Sequence, residues 1–155
     1  MKKLTTIITV AVLAIAFLGS CKKESNDPPT QPTPSTFLTC KIDGSNWNAT
    51  AVIGQSVGSI TNISGSTLTG SSISIILENP IQVGTYYAGP ATMNTLTYIK
   101  GFASSPFTTF TSGSGIVNIT AYSLKSVEGT FQFTGVDSNG NSKVISSGSF
   151  KSNIN

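Results

Sequence analysis

The sequence predicts an all-β protein: a single antiparallel β-sandwich, or flattened barrel, that follows a signal peptide and a disordered tether. Two observations predict this fold. Apolar residues recur at every second position in several short runs, and no segment carries a sustained apolar period of 3.6 residues. Clusters of glycine, asparagine and aspartate separate these runs. Short alternating runs between turn residues are typical of sandwiches and barrels.

The first 20 residues are predicted to be a lipoprotein signal peptide. Met1-Lys2-Lys3 precedes an apolar run from Leu4 to Leu18, which is shorter than the roughly 20 residues that span a bilayer. The run ends in Leu18-Gly19-Ser20-Cys21, which resembles the bacterial lipobox: an aliphatic residue and two small residues before a cysteine. We therefore predict that Cys21 is lipidated. An ordinary signal peptide followed by an incidental cysteine is the alternative.

The residues after the cysteine predict an outer-membrane location. Lys22 stands where an aspartate would resemble an inner-membrane retention signal, and the segment 22–27 partly resembles a surface-export signal. Stable anchoring needs more than one acyl chain, and the resemblance to lipoproteins implies at least two on Cys21. The predicted protein is lipid-anchored in the outer membrane and faces the periplasm or the cell surface.

Residues 21–36 are the predicted lipidated N-terminus and tether, and residues 37–155 are the predicted β domain. The tether is rich in proline, serine and threonine and has nothing apolar to bury, so extended chain is expected. The β domain is long enough for one hydrophobic core.

Five alternating runs mark the expected strands of the domain. Their inward-facing residues are Leu38/Cys40/Ile42, Ile73/Ile75/Leu77, Leu96/Tyr98, Val117/Ile119/Ala121 and Phe131/Phe133. The segment from Gly115 to Tyr122 is expected to be a strand that reverses through residues 123–126. The polar, glycine-rich stretch from Gly54 to Gly70 does not define its strand ends.

Asn139-Gly140 predicts a hairpin with a two-residue type I′ turn. With this turn, Ser138 lies opposite Asn141 and large side chains on one face cover small partners. The expected pairs on that face are Gly129–Phe150, Phe131–Gly148, Phe133–Ser146 and Gly135–Val144. The expected pairs on the polar face are Thr130–Ser149, Gln132–Ser147, Thr134–Ile145 and Val136–Lys143.

The charge of the chain argues against several function classes. Removal of Lys2 and Lys3 with the signal peptide leaves seven lysines against six acids, with no arginine and no histidine. Nucleic-acid binding requires a basic stripe, so no nucleic-acid partner is expected. Serine triads and most zinc sites require imidazole. We therefore predict no catalytic residues, no metal ligands and no cofactor.

The remaining reactive groups of the domain are expected to be structural. Asp43, Glu78 and Asp137 lie in turn signatures, and Glu128 lies on the polar face of a strand. A pair of carboxylates in one cleft, as in a glycosidase, is the enzymatic alternative. Cys40 is expected to be a buried thiol, since a nucleophilic cysteine needs a neighbouring base.

Short motifs run through residues 37–150 of the domain. They are Phe37, Ile42-Asp43-Gly44, Trp47-Asn48-Ala49, Gly84-Thr85-Tyr86, Ile119-Thr120, Glu128-Gly129-Thr130-Phe131-Gln132-Phe133 and Gly148-Ser149-Phe150. With these motifs the domain resembles a family of uncharacterised Bacteroidetes lipoproteins of the domain-of-unknown-function type. The resemblance implies a small β-sandwich on a lipid anchor, and it brings no activity with it.

Aromatic residues are the candidate ligand-binding groups. Trp47, Tyr86 and Tyr98 are the candidates for stacking on a sugar, within a set that also holds Tyr87 and Tyr122. The alternative is that these rings plug the ends of the fold. We predict a non-catalytic binding or structural module whose partner is the membrane together with a glycan or an envelope protein. The narrower alternative is a carbohydrate-binding accessory lipoprotein in polysaccharide uptake.

Overall fold

The computed structural model describes residues 35–155, and the predicted signal peptide, Cys21 and nearly all of the tether lie outside the described residues. The described chain consists of ten strands joined by turns and loops, which confirms the all-β prediction. The strands are β1 (Phe37–Ile42), β2 (Ser45–Asn48), β3 (Ala51–Val57), β4 (Ile60–Ser66), β5 (Ser72–Glu78), β6 (Gly84–Ala88), β7 (Thr95–Ile99), β8 (Phe107–Ser123), β9 (Ser126–Val136) and β10 (Ser142–Asn153). Within residues 35–155, no helix is long and apolar enough to cross a membrane.

All ten strands belong to one antiparallel sheet that curls into a half-barrel. The order is β2-β1-β10-β9-β8-β7-β5-β4-β3, and β6 also pairs with β8. β8 is long enough to pair with β7 through Thr108 and with β6 through Gly115–Ile119. The expected sandwich therefore takes the form of a single curled sheet, which is closer to the flattened barrel.

The curl brings β3 to the chain that follows β10. The Ser56 N–H donates to the Asn155 carbonyl at 3.1 Å, and the Asn155 N–H donates to the Gly54 carbonyl at 3.3 Å. These two bonds satisfy backbone groups on the edge of β3 that would otherwise be open to another chain.

The concave side of the sheet holds the hydrophobic core. Its fully buried side chains include Leu38, Ile63, Ile73, Ile75, Leu77, Leu96, Val117 and Phe150. β1 and β4 approach closely across this core, since a Cβ built on Gly65 would lie 3.1 Å from the Leu38 Cβ. Burial of each such side chain contributes about 1.5–3 kcal/mol.

The predicted alternation matches the buried positions, with one exception. Ala121 was expected to face the core with Ile119, but it is exposed. The pairing of β8 with β9 shifts between Ile119 and Ala121. This bulge reverses the inward and outward positions beyond it. The predicted reversal near residues 123–126 is confirmed, whereas β8 begins at Phe107 rather than near Gly115.

The turn of the β9–β10 hairpin differs from the expected type I′ turn. Of the Asn139-Gly140 pair, only Gly140 has a positive φ, at 83°. The Asp137 N–H donates to the Asn141 carbonyl at 2.9 Å, so the loop has three residues rather than two. The Asp137 carboxylate stabilises this three-residue loop, because its Oδ1 accepts hydrogen bonds from the N–H groups of Asn139 and Asn141 at 2.9 and 2.8 Å. Such a loop is a type I turn closed by a glycine bulge.

The longer loop shifts the pairing next to the turn by one residue. The structure pairs Phe133 with Ile145, Gly135 with Lys143, Thr134 with Val144 and Val136 with Ser142, so the predicted partners of these four residues were wrong. As a result, Ile145 rather than Val144 is buried.

A second irregularity restores the expected pairing farther along the hairpin. Ser146 and Ser147 together lie opposite Gln132, so the predicted Gln132–Ser147 pair is replaced by a bulge. Beyond the bulge, the structure pairs Phe131 with Gly148, Thr130 with Ser149 and Gly129 with Phe150, as predicted.

Candidate functional site: a trough on the outer face

The side chains on the outer face of β6, β8, β9 and β10 form a row across the strands. Tyr87 lies beside Ile116, and Ile116 lies beside Gln132. Their chain neighbours Val117, Phe131 and Phe133 point into the core and are buried. Because successive residues of a strand face opposite sides, the row lies on the solvent side of a rigid sheet.

Two adjacent grooves lie along this row. The first has a volume of about 520 Å³ and includes Tyr87, Gln132 and Ser146 in its lining. The second has a volume of about 400 Å³ and includes Gln132 and Ser147. Both are lined by Ile116 and Gln132, so we treat them as one feature and call it the outer trough. Its remaining lining residues are Ala88, Ser114, Gly115, Asn118, Thr130, Phe131, Phe133, Thr134, Val144, Ile145, Gly148 and Ser149.

The β10 bulge forms part of the trough. Ser146 lines the first groove and Ser147 the second, and both face Gln132 across the strand gap. Ser147 has φ of 52°, in the left-handed region that non-glycine residues rarely occupy. Bulges redirect side chains and occur often beside binding sites, and backbone strain of this kind clusters at functional positions.

The lining of the trough mixes apolar and polar side chains and carries no carboxylate or amine among the residues described. Within residues 35–155, the side chains of Gln132, Ser146 and Ser147 make no hydrogen bond to the protein, since none of the side-chain bonds found there includes them. Asn118 accepts a bond of 2.8 Å from Thr85 through its carbonyl oxygen, which leaves its amide N–H groups as donors. The trough thus offers uncharged donors and acceptors to a ligand.

Polar side chains on the outer face of β4 and β5 differ from Gln132, Ser146 and Ser147 in the trough. On β4 and β5, the side-chain oxygen Oδ1 of Asn62 accepts hydrogen bonds from the Ser64 hydroxyl at 3.1 Å and from the Ser74 hydroxyl at 2.8 Å. Those groups satisfy one another, whereas the trough keeps its polar groups free for another partner.

The three predicted stacking residues do not form a common platform. Trp47 is 9% exposed, and its Nε1–H donates to the Ser71 Oγ at 2.9 Å. Tyr98 is 6% exposed and stacks on Phe107 with ring centroids 6.1 Å apart. Tyr86 is half-buried, and its hydroxyl bonds to the backbone N–H and carbonyl of Gln82. In this structure Trp47 and Tyr98 belong to the core.

The aromatic ring that does reach solvent is that of Tyr87, which is 65% exposed. Tyr86 and Tyr87 are adjacent on β6, so one of them must face outward, and this signal was available in the sequence. Gln132, which lines both grooves, was not predicted as a candidate, because its place opposite the β10 bulge depends on the shifted register.

Three of the four acidic residues of the domain are held by structural contacts. Lys143 pairs with Asp43 and, with the Val144 N–H, lowers the pKa of the Asp43 carboxyl. The Glu128 carboxylate lies 3.3 Å from the Lys151 Nζ on the outer face. The amide side chain of Asn141 is the main cause of the lowered pKa of Asp137. Among the described residues, no group of three histidine, cysteine, aspartate or glutamate side chains could hold a metal ion.

Cys40 is 5% exposed in the core, and desolvation raises the pKa of its thiol to about 12. A thiol in this environment carries almost no thiolate at neutral pH, and the thiolate is the reactive form. The structure therefore places Cys40 where the sequence predicted it. Cys21, the predicted lipidation site, lies outside the described residues.

The model of a domain of unknown function, DUF6252, matches residues 35–152. No curated protein and no solved structure matches the chain. The family match covers the whole curled sheet up to the end of β10, including every residue of the outer trough. The chain therefore belongs to the DUF6252 family, whose function is unknown.

Proposed function

We propose that this protein is a lipid-anchored outer-membrane lipoprotein whose β domain is a non-catalytic binding module. The outer trough is the observation that carries the proposal. It is an open surface lined by uncharged side chains, and Gln132, Ser146 and Ser147 keep free hydrogen-bonding groups there. Binding sites combine apolar surface with a few convergent polar groups in this way.

The ionisable groups support a non-catalytic role. General acid catalysis needs a proton donor with a pKa near the working pH, but Lys143 holds Asp43 in its ionised form. Covalent catalysis needs an activated nucleophile, and Cys40 is buried with a pKa of about 12. The chain contains no histidine that could act as a base for either step.

The N-terminal segment supports the anchor. Leu18-Gly19-Ser20-Cys21 has the order of residues of a lipobox, and Lys22 follows the cysteine. These residues, together with the match of the β domain to DUF6252, favour membership among the Bacteroidetes lipoproteins. In this proposal Cys21 carries the lipid, and residues 22–36 hold the β domain away from the membrane.

Metabolic labelling with radioactive palmitate tests the anchor. The wild-type protein is expected to be labelled and to fractionate with the outer membrane. Cys21→Ser is expected to lose both properties. Cys40→Ser is the matched control, because it removes a cysteine from the core and should retain the label. A Cys21→Ser protein that is still labelled would show that the lipid is attached elsewhere.

A carbohydrate-binding accessory lipoprotein in polysaccharide uptake is the second candidate. The observation that favours it is the exposed ring of Tyr87 at one end of the trough. Deletion of the gene would then slow growth on the polysaccharide concerned and leave growth on its monosaccharide unchanged. Equal growth on both carbon sources would contradict this candidate.

A further inference from the structure

We infer that the outer trough binds an uncharged oligosaccharide that lies across the strands, with one sugar ring stacked on Tyr87 and polar contacts from Gln132 and the β10 bulge. The inference rests on the proposed binding role and names its ligand class.

The aromatic ring of Tyr87 supplies an apolar surface at one end of the trough. Tyr87 is 65% exposed on a strand whose other residues pair with β8. The backbone around it is fixed, because the Asn94 amide donates to the Tyr87 carbonyl at 2.9 Å. A large ring held on a rigid strand presents an apolar face at little entropic cost, and its hydroxyl remains available to water or ligand. A pyranose ring has a matching apolar C–H face.

The polar groups of the trough match the hydroxyl groups of a sugar. Hydroxyl groups both donate and accept hydrogen bonds, as do the Gln132 amide and the serine side chains beside it. Neighbouring strands lie about 4.8 Å apart, so the row from Tyr87 to Gln132 extends over about 10 Å and the bulge lengthens it by one more strand. This length suits an oligosaccharide rather than a single sugar.

The charge of the trough favours a neutral ligand. Its described lining includes no lysine, aspartate or glutamate. Beside the trough on the outer face, Glu128 and Lys151 form an ion pair at 3.3 Å, and Lys41 lies across from Ser146, outside the lining of the grooves. An acidic glycan would find one lysine, Lys41, at the β10 end of the trough and none along the row from Tyr87 to Gln132 to replace its lost hydration. A neutral glycan has no such requirement.

The strained bulge on β10 adds a hydroxyl group to the site. Ser147 adopts a φ of 52° at the point where the trough crosses β10. Without the bulge, one serine rather than two would lie opposite Gln132. The bulge therefore places a second hydroxyl against the trough, at a cost in backbone strain.

Affinity electrophoresis of the purified full-length protein in detergent tests the inference. The gels contain laminarin, dextran, xylan or mannan as neutral probes and polygalacturonate as the acidic probe. At least one neutral polysaccharide is expected to retard the wild type, and polygalacturonate is not. Tyr87→Ala and Gln132→Ala are each expected to weaken binding about tenfold, in the range of a buried contact residue.

Two matched variants separate the trough from the rest of the surface. Tyr122→Ala removes a partly exposed tyrosine from the end of β8, and Gln55→Ala removes an exposed glutamine from β3. Both are expected to bind as the wild type does. Melting temperatures measured for all four variants report whether any loss of binding reflects unfolding.

Several results would overturn the inference: no retardation by any neutral polysaccharide, retardation by polygalacturonate alone, or undiminished binding by folded Tyr87→Ala and Gln132→Ala. Photo-crosslinking in cells then separates the inference from the proposed function. With benzoylphenylalanine in place of Val144, which is 50% exposed on the trough, a protein adduct would sustain the binding role and reject the glycan. The absence of both adduct and retardation would reject the glycan ligand and the proposed binding role together.

Discussion

The missing side chain of Gly148 allows Phe131 to pack against β10. A Cβ atom at position 148 would lie 2.5 Å from the Phe131 carbonyl oxygen and 2.6 Å from its ring. Phe131 is itself buried and packs against Phe150, with ring centroids 6.2 Å apart. Any side chain at position 148 must therefore displace part of the aromatic core.

We expect Gly148→Ala to lower the free energy of unfolding by about 1–3 kcal/mol, and Gly148→Val by more, because overpacking distorts the core. Urea denaturation measures the change. Gly89→Ala is the control, since the nearest atom to its added Cβ is the Gly113 carbonyl oxygen at 3.6 Å. Equal stability of the Gly148 and Gly89 variants would contradict the packing described for Phe131.

Asp43 connects the β1–β2 turn to β10. Its φ is 47°, a conformation that aspartate and asparagine tolerate better than most residues. Its carboxylate pairs with Lys143 and accepts the Val144 N–H at 3.0 Å. The hydrogen bond from Lys143 is the main cause of the lowered pKa of Asp43, and the Val144 N–H is the second.

The lowered pKa of Asp43 predicts a loss of stability in acid. A carboxyl whose pKa is lower in the folded state stabilises the fold above its ordinary pKa of 3.8. This stability is lost as the pH falls through the lowered value. Asp43→Asn keeps the backbone conformation but cannot ionise, so its melting temperature should fall less than that of the wild type between about pH 6 and pH 2.

Lysine variants provide the control for the acid prediction. Lys143→Met removes the partner of Asp43 and should also reduce the pH dependence of the melting temperature. Lys125→Met lies in the exposed β8–β9 turn and should leave it unchanged. Asp137, whose pKa is also lowered, is expected to contribute to the pH dependence that remains in Asp43→Asn, and in Lys143→Met the Val144 N–H continues to lower the pKa of Asp43. Identical acid profiles of Asp43→Asn and wild type would reject the role of Asp43.

At the scale of the element, the β9–β10 hairpin contains two irregularities that offset each other. The three-residue loop at Asp137–Asn141 shifts the register by one residue, and the Ser146–Ser147 bulge shifts it back. Before the bulge Ile145 faces inward, and after it the inward-facing residues are Gly148 and Phe150. Both irregularities are required for apolar residues on each side of the bulge to reach the same core.

Ser147→Gly should stabilise the hairpin, because glycine adopts a φ of 52° without the steric cost that serine bears. The expected gain in the free energy of unfolding is about 0.5–1 kcal/mol. Ser149→Gly is the matched control on the same strand, in regular pairing with Thr130. It should lose about the same amount, since glycine weakens a strand interior. Denaturation in urea measures both, and a loss for Ser147→Gly would contradict the strain assigned to the bulge.

At the scale of the whole molecule, the curl of the sheet depends on a close contact between β3 and the end of β10. A Cβ atom on Gly54 would lie 2.2 Å from the Asn153 carbonyl oxygen and 2.5 Å from the Ser152 Oγ. Ser152 is fully buried beneath this contact. Glycine is therefore required where the two backbones meet.

Gly54→Ala is expected to separate β3 from residues 153–155 and to lower the free energy of unfolding by about 1–3 kcal/mol. Hydrogen exchange locates the effect, because the amides of Ser56 and Asn155 should lose protection before those of the central strands. Gly89→Ala again serves as the control and should not change their exchange. Unchanged protection of Ser56 in Gly54→Ala would show that the contact does not hold the sheet closed.

The candidate site shows where prediction from sequence stopped. An outward-facing ring was predictable, because Tyr86 and Tyr87 are neighbours on one strand. The trough was not, because it joins Tyr87 on β6 to the bulge on β10, which are distant in the chain and are brought together through β8 and β9. Trp47 has the chemistry of a stacking residue, but in the fold its ring packs in the core, where Nε1–H donates to Ser71, 24 residues away in the chain.

The sequence by itself determined the all-β class, the faces of most strands and the pairing of Phe131 with Gly148, because alternation and local glycine placement are properties of neighbouring residues. Only the tertiary structure decided the strand order, the shifted register beside Asn139-Gly140 and the position of the outer trough. The strand order and the trough depend on contacts between distant segments, whereas the shifted register follows from hydrogen bonds within the loop 137–141. The carboxylate of Asp137 selects the loop, the bulge at Ser147 restores the register, and the core accepts the result because Ile145 and Phe150 both reach it.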